Sequence, residues 1–201
     1  MQGLVEHGSR PVPTGIRRVT TLPEIVNHLE GDDSLHLGRL LVLIDAFAGK
    51  AGDQKIEGLT KLAKLDFLLR YPAFLERAIQ VRGSDAAQVN VEEFERNSIE
   101  ARMVRFKYGP WDHRYRRFLN ILAGRGLINV HTAGRTVIIG QTERGRAAAE
   151  MLKAELEYAG IRQRAVLLKR HLNLTATTLM EFIYEHFPEV ASLRMGETID
   201  Q

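Results

Sequence analysis

The first half of the chain consists of apolar stretches with helical spacing, separated by short polar breaks. Residues 34–49 are apolar nearly all round, which predicts a helix at the centre of the core. A shorter helix is predicted over 21–30, and the Gly-Asp-Asp sequence at 31–33 predicts a break between the two. Residues 59–70 and 72–81 predict two more helices, which separate where a residue precedes a proline and therefore avoids the helical conformation.

A helix predicted over residues 111–125 has two contrasting faces. Its apolar stripe consists of Tyr115, Phe118, Leu119 and Leu122. The opposite face has the same spacing and is polar, with His113, Arg116, Arg117 and Asn120. Such a helix is expected to pack its stripe on the core and to present the basic face to solvent or to a partner.

Strand patterns are short and concentrate around this helix. Residues 127–140 alternate between apolar and polar positions on both sides of an Ala-Gly turn, which predicts a β-hairpin directly after the helix. Residues 98–107 also alternate and predict a strand before it, followed by a turn at Gly109-Pro110. One more short strand is predicted at Lys55 and Ile56.

Helical spacing returns after the hairpin. Thr142 predicts the N-cap of a helix that runs to about Gly160, with a buried stripe of Ala148, Met151, Leu152 and Leu156. Two further helices are predicted by the stripes Ile161, Ala165, Leu168 and Leu172, and Leu179, Ile183 and Phe187. Pro188 is expected to end the last helix, and the residues after Val190 are expected to fray.

This order of elements predicts the fold class. A helix, a second helix, a basic-faced helix and then a hairpin is the order of a winged helix-turn-helix. We therefore predict a mainly α fold with a small β-hairpin wing, an elaborated winged helix-turn-helix plus C-terminal helices. Thr142 to Gly145 looks like the threonine–x–x–glycine stretch that follows the wing in many bacterial winged-helix regulators. The predicted organisation is an irregular arm over 1–20, the winged-helix core over 21–142, a helical segment over 143–190 and a tail over 191–201.

Basic charge is concentrated in one part of the chain. Residues 102–146 contain ten lysines and arginines but two acidic residues, although the whole chain has a net charge of only +3. Residues 84–101 and 181–201 are acidic. A basic segment of this kind is the electrostatic footprint of an anionic partner such as nucleic acid. The alternative is a solvated surface whose arginines pair with the neighbouring acidic segments.

A winged helix performs one of two functions. In DNA-binding proteins its recognition helix enters the major groove, where arginine pairs with guanine and asparagine with adenine, and the wing contacts phosphates. In the SMC-type ATPase complexes winged-helix subunits are protein-docking modules. The sequence leaves both functions open. The candidate nucleic-acid-binding residues are Arg114, Arg116, Arg117 and Asn120 on the helix and Arg135 at the wing.

Two stretches resemble a known family. They are residues 58–72 (GLTKLAKLDFLLRYP) and residues 106–112 (FKYGPWD), which lead into the arginine-rich helix. Together they are similar to the middle-component proteins of bacterial ABC-three-component defence systems of the Lamassu type, over about residues 34–150. The resemblance implies a non-catalytic accessory subunit in antiphage or antiplasmid defence. Its implied partners are an SMC/Rad50-like coiled-coil ATPase, an effector such as a nuclease, and double-stranded DNA. The alternative function is a stand-alone winged-helix transcriptional regulator that binds DNA as a homodimer.

The sequence contains no convincing catalytic, cofactor or metal motif, so we expect no enzymatic activity. Residues 48–51 (AGKA) lack the first glycine and the serine or threonine of a phosphate loop. Glu92, Glu93 and Glu95 fit a solvated acidic loop better than a nuclease metal site. Asp112 at a helix start is explained by capping.

Composition adds a few limits. The absence of cysteine excludes disulfides and thiolate metal sites. A chain of 201 residues that is 44% hydrophobic can bury a sizeable core. The longest apolar run covers only residues 40–44, whereas a membrane span needs about 20 residues. We expect a cytoplasmic protein that does not enter a membrane.

Overall fold

The structure is a computed structural model that describes residues 22–97 and 103–199, with side chains over 33–96 and 103–199. The described residues form α1 (Leu22–Ala48), α2 (Leu59–Arg70), α3 (Pro72–Val81), α4 (Glu93–Asn97), α5 (Tyr115–Gly124), α6 (Glu143–Ala154), α7 (Ala159–Leu172), α8 (Ala176–His186) and α9 (Pro188–Ser192). The strands are β1 (Ile56–Glu57), β2 (Val104–Phe106), β3 (Gly109–Trp111), β4 (Ile128–Ala133) and β5 (Thr136–Gln141). The predicted class, mainly α with a small antiparallel sheet, is confirmed. The predicted arm over 1–20 and the start of the predicted strand over 98–107 lie outside the described residues.

The central helix is longer than predicted. The apolar residues of its C-terminal half are almost fully buried, as expected for a helix at the centre of the core. The predicted break at 31–33 is wrong, because α1 continues through this segment without interruption. The carboxylate of Asp33 pairs with Arg117 of α5, so tertiary contact compensates for the weak helix propensity of aspartate.

The next two helices have the predicted bounds. Tyr71 separates α2 from α3, and its backbone N–H donates to the carbonyl of Phe67. The rings of Phe67, Tyr71 and Phe74 pack on one another with centroids 4.9–5.9 Å apart. Proline at the first position of α3 costs no hydrogen bond, because that N–H has no partner within the helix.

The predicted hairpin is confirmed. β4 and β5 are antiparallel from the pair Ile128–Gln141 to the pair Ala133–Thr136. β1 adds to the other edge of β5, so the strand order is β1-β5-β4. Ile56, Ile128 and Ile139 are buried and attach this sheet to the hydrophobic core.

A second hairpin lies where the sequence predicts a turn. Gly109 and Pro110 belong to β3, which pairs with β2, and the turn is formed by Lys107 and Tyr108. Pro110 lies opposite Arg105 in this two-stranded sheet, where the missing N–H is tolerated. Because β3 includes residue 111, α5 begins at Tyr115, four residues later than predicted.

The helix after β5 is shorter than predicted. Thr142 is its N-cap, and its hydroxyl accepts a 2.9 Å hydrogen bond from the N–H of Gly145. The predicted stripe is confirmed for Ala148 and Leu152, which pack against the core, and wrong for Met151 and Leu156, which are 74% and 92% exposed. The small residues Gly145 and Ala149 are buried, because α6 lies close to the backbone of Leu127. α6 ends at Ala154, and a 3₁₀ turn over Leu156–Tyr158 leads into α7.

The C-terminal tail is packed, so the predicted fraying is wrong for the described part of the tail. The hydroxyl of Tyr71 donates a 3.0 Å hydrogen bond to the carbonyl of Ile199, whose side chain is buried. Thr198 forms a β-bridge with Val104 beside the second hairpin. Residues of the helices, of the three-stranded sheet and of the tail share one hydrophobic cluster. Within the described residues, no helix combines the length and the apolar character that a membrane crossing requires.

Candidate nucleic-acid interface and the charge network beneath it

The two faces predicted for α5 are confirmed. Its four apolar stripe residues are all buried. The polar residues of the other side, Arg116, Arg117 and Asn120, are exposed, as is His113 in the turn before the helix rather than on it, and we refer to these four residues as the basic face. Arg117 is fixed by its ion pair with Asp33 while most of its side chain remains in solvent. α5 therefore presents three side chains that donate hydrogen bonds, Arg116, Arg117 and Asn120, from one rigid helix.

The wing candidate Arg135 lies apart from the helix. It is exposed and directly precedes β5, next to Gly134, which has a positive φ of 59° and forms the β4–β5 turn. An exposed arginine beside a hairpin turn is accessible to a phosphate group.

Arg114 differs from the other four candidates. Its side chain is 24% exposed, and it donates to Asp112 from Nε at 3.1 Å and from Nη2 at 2.9 Å. The same Nη2 lies 3.2 Å from Nε2 of His36. The structure therefore places Arg114 in an internal network rather than on the basic face.

Other arginines of the basic segment also have internal roles. Arg146 donates to the carbonyls of Gly49 and Lys50 and thereby holds the C-terminal end of α1. Arg105 packs its guanidinium against the ring of Tyr184. Lys107, Arg116, Arg117, Arg125, Arg135 and Arg144 are exposed. The charge that is available to a partner is thus smaller than the sequence count indicates.

Asp66 is the centre of the charge network, which consists of His36, Arg39, Asp66, Arg70, Asp112, Arg114 and Tyr115. The Asp66 carboxylate is fully buried and accepts from Nε of Arg39 at 2.8 Å, from Nε of Arg70 at 2.8 Å and from the hydroxyl of Tyr115 at 2.7 Å. Burial alone would raise the pKa of Asp66, but the two arginines and the hydrogen bonds lower it to about 2.

Asp112 is the second carboxylate of the charge network. It accepts from Nη1 of Arg70 at 2.9 Å and from the backbone N–H of Arg114 at 2.9 Å. Burial opposes ionisation, but these hydrogen bonds and the charges of Arg70 and Arg114 hold the pKa of Asp112 well below its usual range. The two carboxylates also raise the pKa of Arg70 against the effect of its burial. The predicted helix capping by Asp112 is wrong, because the N-cap of α5 is Arg114, two residues later, and no side chain makes a cap hydrogen bond there.

His36 lies between two arginines of the network. Its Nδ1 lies 2.7 Å from Nη2 of Arg39, and its Nε2 faces Arg114. A neutral imidazole accepts only one hydrogen bond and guanidinium groups only donate. We therefore assign the accepting lone pair to Nδ1 and the proton to Nε2. Burial, followed by the charges of Arg39, Arg70 and Arg114, lowers the pKa of His36 to about 3, so the ring is neutral when the protein is folded.

Sequence analysis missed this network. His36 and Arg39 lie in or beside the apolar stretch of α1 over 37–44, and Asp66 lies among the leucines of α2. A charged residue inside such a stretch is a usable signal, because a buried charge requires a partner of opposite charge. The signal does not identify the partner, since Asp66 and Tyr115 are 49 residues apart.

A wide recess of about 990 Å³ lies between the start of α7, the region of α4 and the described part of α1. Phe94 and Leu156 form apolar parts of its wall, and Glu95 forms an acidic part. Glu95 is paired with Arg164, which donates from both terminal nitrogens at 2.5–2.6 Å. The predicted acidic loop is thus partly used in a structural ion pair. Nowhere in 33–96 and 103–199 do three or more metal-ligating side chains form a cluster.

Comparisons with protein-family models, curated proteins and solved structures found no match to this chain.

Proposed function

We propose that this chain is a non-catalytic winged-helix subunit that contacts double-stranded DNA through α5 and the β4–β5 turn. The observation that carries the proposal is the exposed basic face on a helix whose other side is fixed in the core. Arg116 and Arg117 supply the guanidinium groups that pair with guanine or with phosphate, and Asn120 supplies an amide suited to adenine. Arg135 at the β4–β5 turn supplies a second phosphate contact.

The topology of the sheet supports the winged-helix assignment. α1, β1 and α2 precede α5, β4 and β5, and β1 pairs with β5 at the edge away from β4. This order is compatible with the winged helix that we propose, in which α2 and α5 would form the helix pair and the β4–β5 hairpin would form the wing. Residues 71–111, with α3, α4 and the second hairpin, then form an insertion between the two helices.

The charge network holds the helix that presents the basic face. Tyr115 and Arg114 at the start of α5 are held by Asp66 and Asp112, and Arg70 of α2 contacts both carboxylates. The orientation of α5 is thus fixed before any partner binds. A preorganised helix loses less conformational entropy on binding than one that must be ordered.

The partners that we propose come from the sequence resemblance. The stretches at 58–72 and 106–112 indicate a middle component of an ABC-three-component, Lamassu-type defence system. In that setting the chain docks on an SMC/Rad50-like ATPase, accompanies an effector subunit and acts in the cytoplasm against phage or plasmids. In such a complex the catalytic chemistry would reside in the ATPase and the effector.

DNA binding is tested through its salt dependence. We expect the double variant Arg116→Ala/Arg117→Ala to weaken duplex binding and to reduce the slope of log K against log salt by about 2. The matched control is Arg82→Ala/Arg170→Ala, which removes one exposed arginine directly after α3 and one on α7 and should leave the slope unchanged. An unchanged slope in the Arg116/Arg117 variant, measured by fluorescence anisotropy, would remove the basic face from the DNA contact.

The partner assignment is tested by capture of the tagged chain from its native host, followed by mass spectrometry. Recovery of a large coiled-coil ATPase with a second effector protein is the expected result. Recovery of the chain alone as a homodimer, with tight binding to half-sites about 34 Å apart, would instead favour the transcriptional regulator.

A further inference from the structure

The β2–β3 hairpin presents aromatic rings to solvent beside the basic face. Phe106 and Tyr108 are 48% and 50% exposed at the hairpin turn. Phe106 lies over Trp111 with ring centroids 6.0 Å apart and an interplanar angle of 30°. Single exposed apolar side chains are common on protein surfaces, whereas neighbouring exposed rings form an apolar patch of the kind that marks interaction sites.

These rings line a small pocket, which we call the aromatic pocket. Its volume is about 170 Å³, and its walls are Thr60, Phe106, Tyr108, Gly109, Pro110, Trp111 and Arg116. This is below the range of about 300–1,000 Å³ typical of sites for drug-sized ligands. The space fits the insertion of one planar ring rather than a whole metabolite.

Arg116 joins the aromatic pocket to the basic face. It is exposed on α5 and at the same time lines the pocket, where it is the one charged residue among the lining residues. Lys107 adds a second positive charge at the hairpin turn, with Nζ 5.5 Å from the centroid of the Tyr108 ring. The pocket therefore combines ring surfaces with the cation of Arg116 in its wall and that of Lys107 at the adjoining turn, and through Arg116 it adjoins the surface that we assign to DNA.

The β2–β3 hairpin packs against α2, α5 and the tail. Gly109 has a φ of +114°, and a Cβ there would lie 3.3 Å from Cε of the buried Lys64. The indole of Trp111 packs edge-on against Tyr115, with centroids 5.5 Å apart. On the other edge, Val104 pairs with Thr198 of the tail. The exposed rings thus belong to a hairpin that is packed against the rest of the protein.

We propose that the aromatic pocket binds an unpaired base of a nucleic acid by stacking on Tyr108 and Phe106, with Arg116 and Lys107 on the adjoining phosphates. The inference rests on the proposed DNA contact of α5, and it adds a preference for duplexes that carry a single-stranded end. Ring stacking combined with cations is the chemistry by which single strands are bound without sequence preference. A protein partner would require an acidic or apolar complement, and it is the competing outcome of the test.

Trp111 provides a direct probe, because it is the single tryptophan of the chain and lies in the aromatic pocket. The full chain is titrated with a blunt duplex and with the same duplex extended by a single-stranded thymidine tail. We expect the tailed duplex to quench Trp111 fluorescence and to bind about tenfold more tightly than the blunt duplex. Equal affinities without quenching would overturn the inference and leave the proposed function intact.

Two variants at one position separate stacking from folding. Tyr108→Ala should lose the roughly tenfold preference for the tailed duplex while its affinity for the blunt duplex stays unchanged. Tyr108→Phe should keep the preference, because it keeps the ring. The matched control is Met151→Ala, which truncates an exposed apolar side chain on α6. A normal preference in Tyr108→Ala would overturn the stacking role.

The outcomes also distinguish this inference from the proposed function. Binding of the tailed duplex with quenching, but no binding of the blunt duplex, would support the aromatic pocket and contradict the duplex contact of α5. Loss of ATPase capture by Tyr108→Ala, with the preference for the tailed duplex unchanged, would assign the pocket to a protein partner and overturn the inference.

Discussion

The hydroxyl of Tyr115 donates a 2.7 Å hydrogen bond to the carboxylate of Asp66, and this bond joins α5 to α2 inside the core. Both side chains are fully buried. The same carboxylate neutralises Arg39 of α1 and Arg70 of α2, so three helices meet at one charged group. The helix with the basic face is therefore positioned by electrostatics as well as by apolar packing.

Loss of the Asp66 carboxylate should be far more damaging than loss of the Tyr115 hydroxyl. Asp66→Ala leaves two buried guanidinium groups without this counter-charge and should cost about 3–5 kcal/mol of unfolding free energy. Tyr115→Phe removes one hydrogen bond to a charged group and should cost about 1.5–3 kcal/mol. Urea unfolding measures both values, with the exposed Asp53→Ala as the control. Equal losses for the two variants would contradict the central role of Asp66.

The free energy of unfolding should fall on mild acidification because of His36. Its pKa is about 3 in the folded protein and about 6.5 when unfolded, so between these values the unfolded chain binds more protons. Stability is therefore lost as the pH falls from 6.5 towards 3, with a slope of up to about 1.4 kcal/mol per pH unit. Asp66 adds a further loss between about pH 4 and pH 2, because its folded pKa is about 2 against 3.8 when unfolded.

His36→Gln isolates the histidine contribution. The amide oxygen of glutamine can accept from Arg39 and does not titrate. Urea unfolding between pH 7 and pH 4.5 should give a flatter profile for the variant than for the original chain. A profile of the same steepness would show that the acid sensitivity arises elsewhere.

Gly145 should not tolerate a side chain. A Cβ at this position would lie 1.8 Å from the carbonyl oxygen of Leu127, so α6 would have to move away from the start of the β4–β5 hairpin. Gly145→Ala should cost about 3 kcal/mol, at the upper end of the usual range for overpacking. Gly124→Ala is the matched control, because nothing lies within 4 Å of its Cβ position. The control should be neutral or stabilising by about 0.5–1 kcal/mol, in a thermal or urea unfolding experiment.

The correct predictions rest on signals between residues close together in the sequence. The spacing of Thr142 and Gly145 reports a local hydrogen bond between them, and local signals of this kind gave the correct start of α6. The bounds of α2 and α3 follow equally from periodicity and from a proline. The two faces of α5 follow from its spacing, because one helix turn determines which side chains share a face.

The incorrect predictions involve contacts between distant parts of the chain. α1 continues past 31–33, where Asp33 pairs with a residue 84 positions later. Met151 and Leu156 fit a helical stripe, but close packing at Gly145 turns a different side of α6 to the core. The charge network and the aromatic pocket combine residues from separate elements, and no local pattern specifies such combinations.

The docked tail gives the last prediction. Ile199 is buried, its N–H donates to the carbonyl of Met103, and its own carbonyl accepts from the hydroxyl of Tyr71. Ile199→Ala should therefore cost about 2–4 kcal/mol, as for a buried aliphatic residue, and the control Met195→Ala should cost almost nothing because Met195 is exposed. The tail also pairs with β2 through Thr198, so hydrogen exchange at the β2–β3 hairpin should accelerate in the Ile199 variant. Unchanged exchange there, despite a loss of global stability, would mean that the hairpin is held by Trp111 and Gly109 alone.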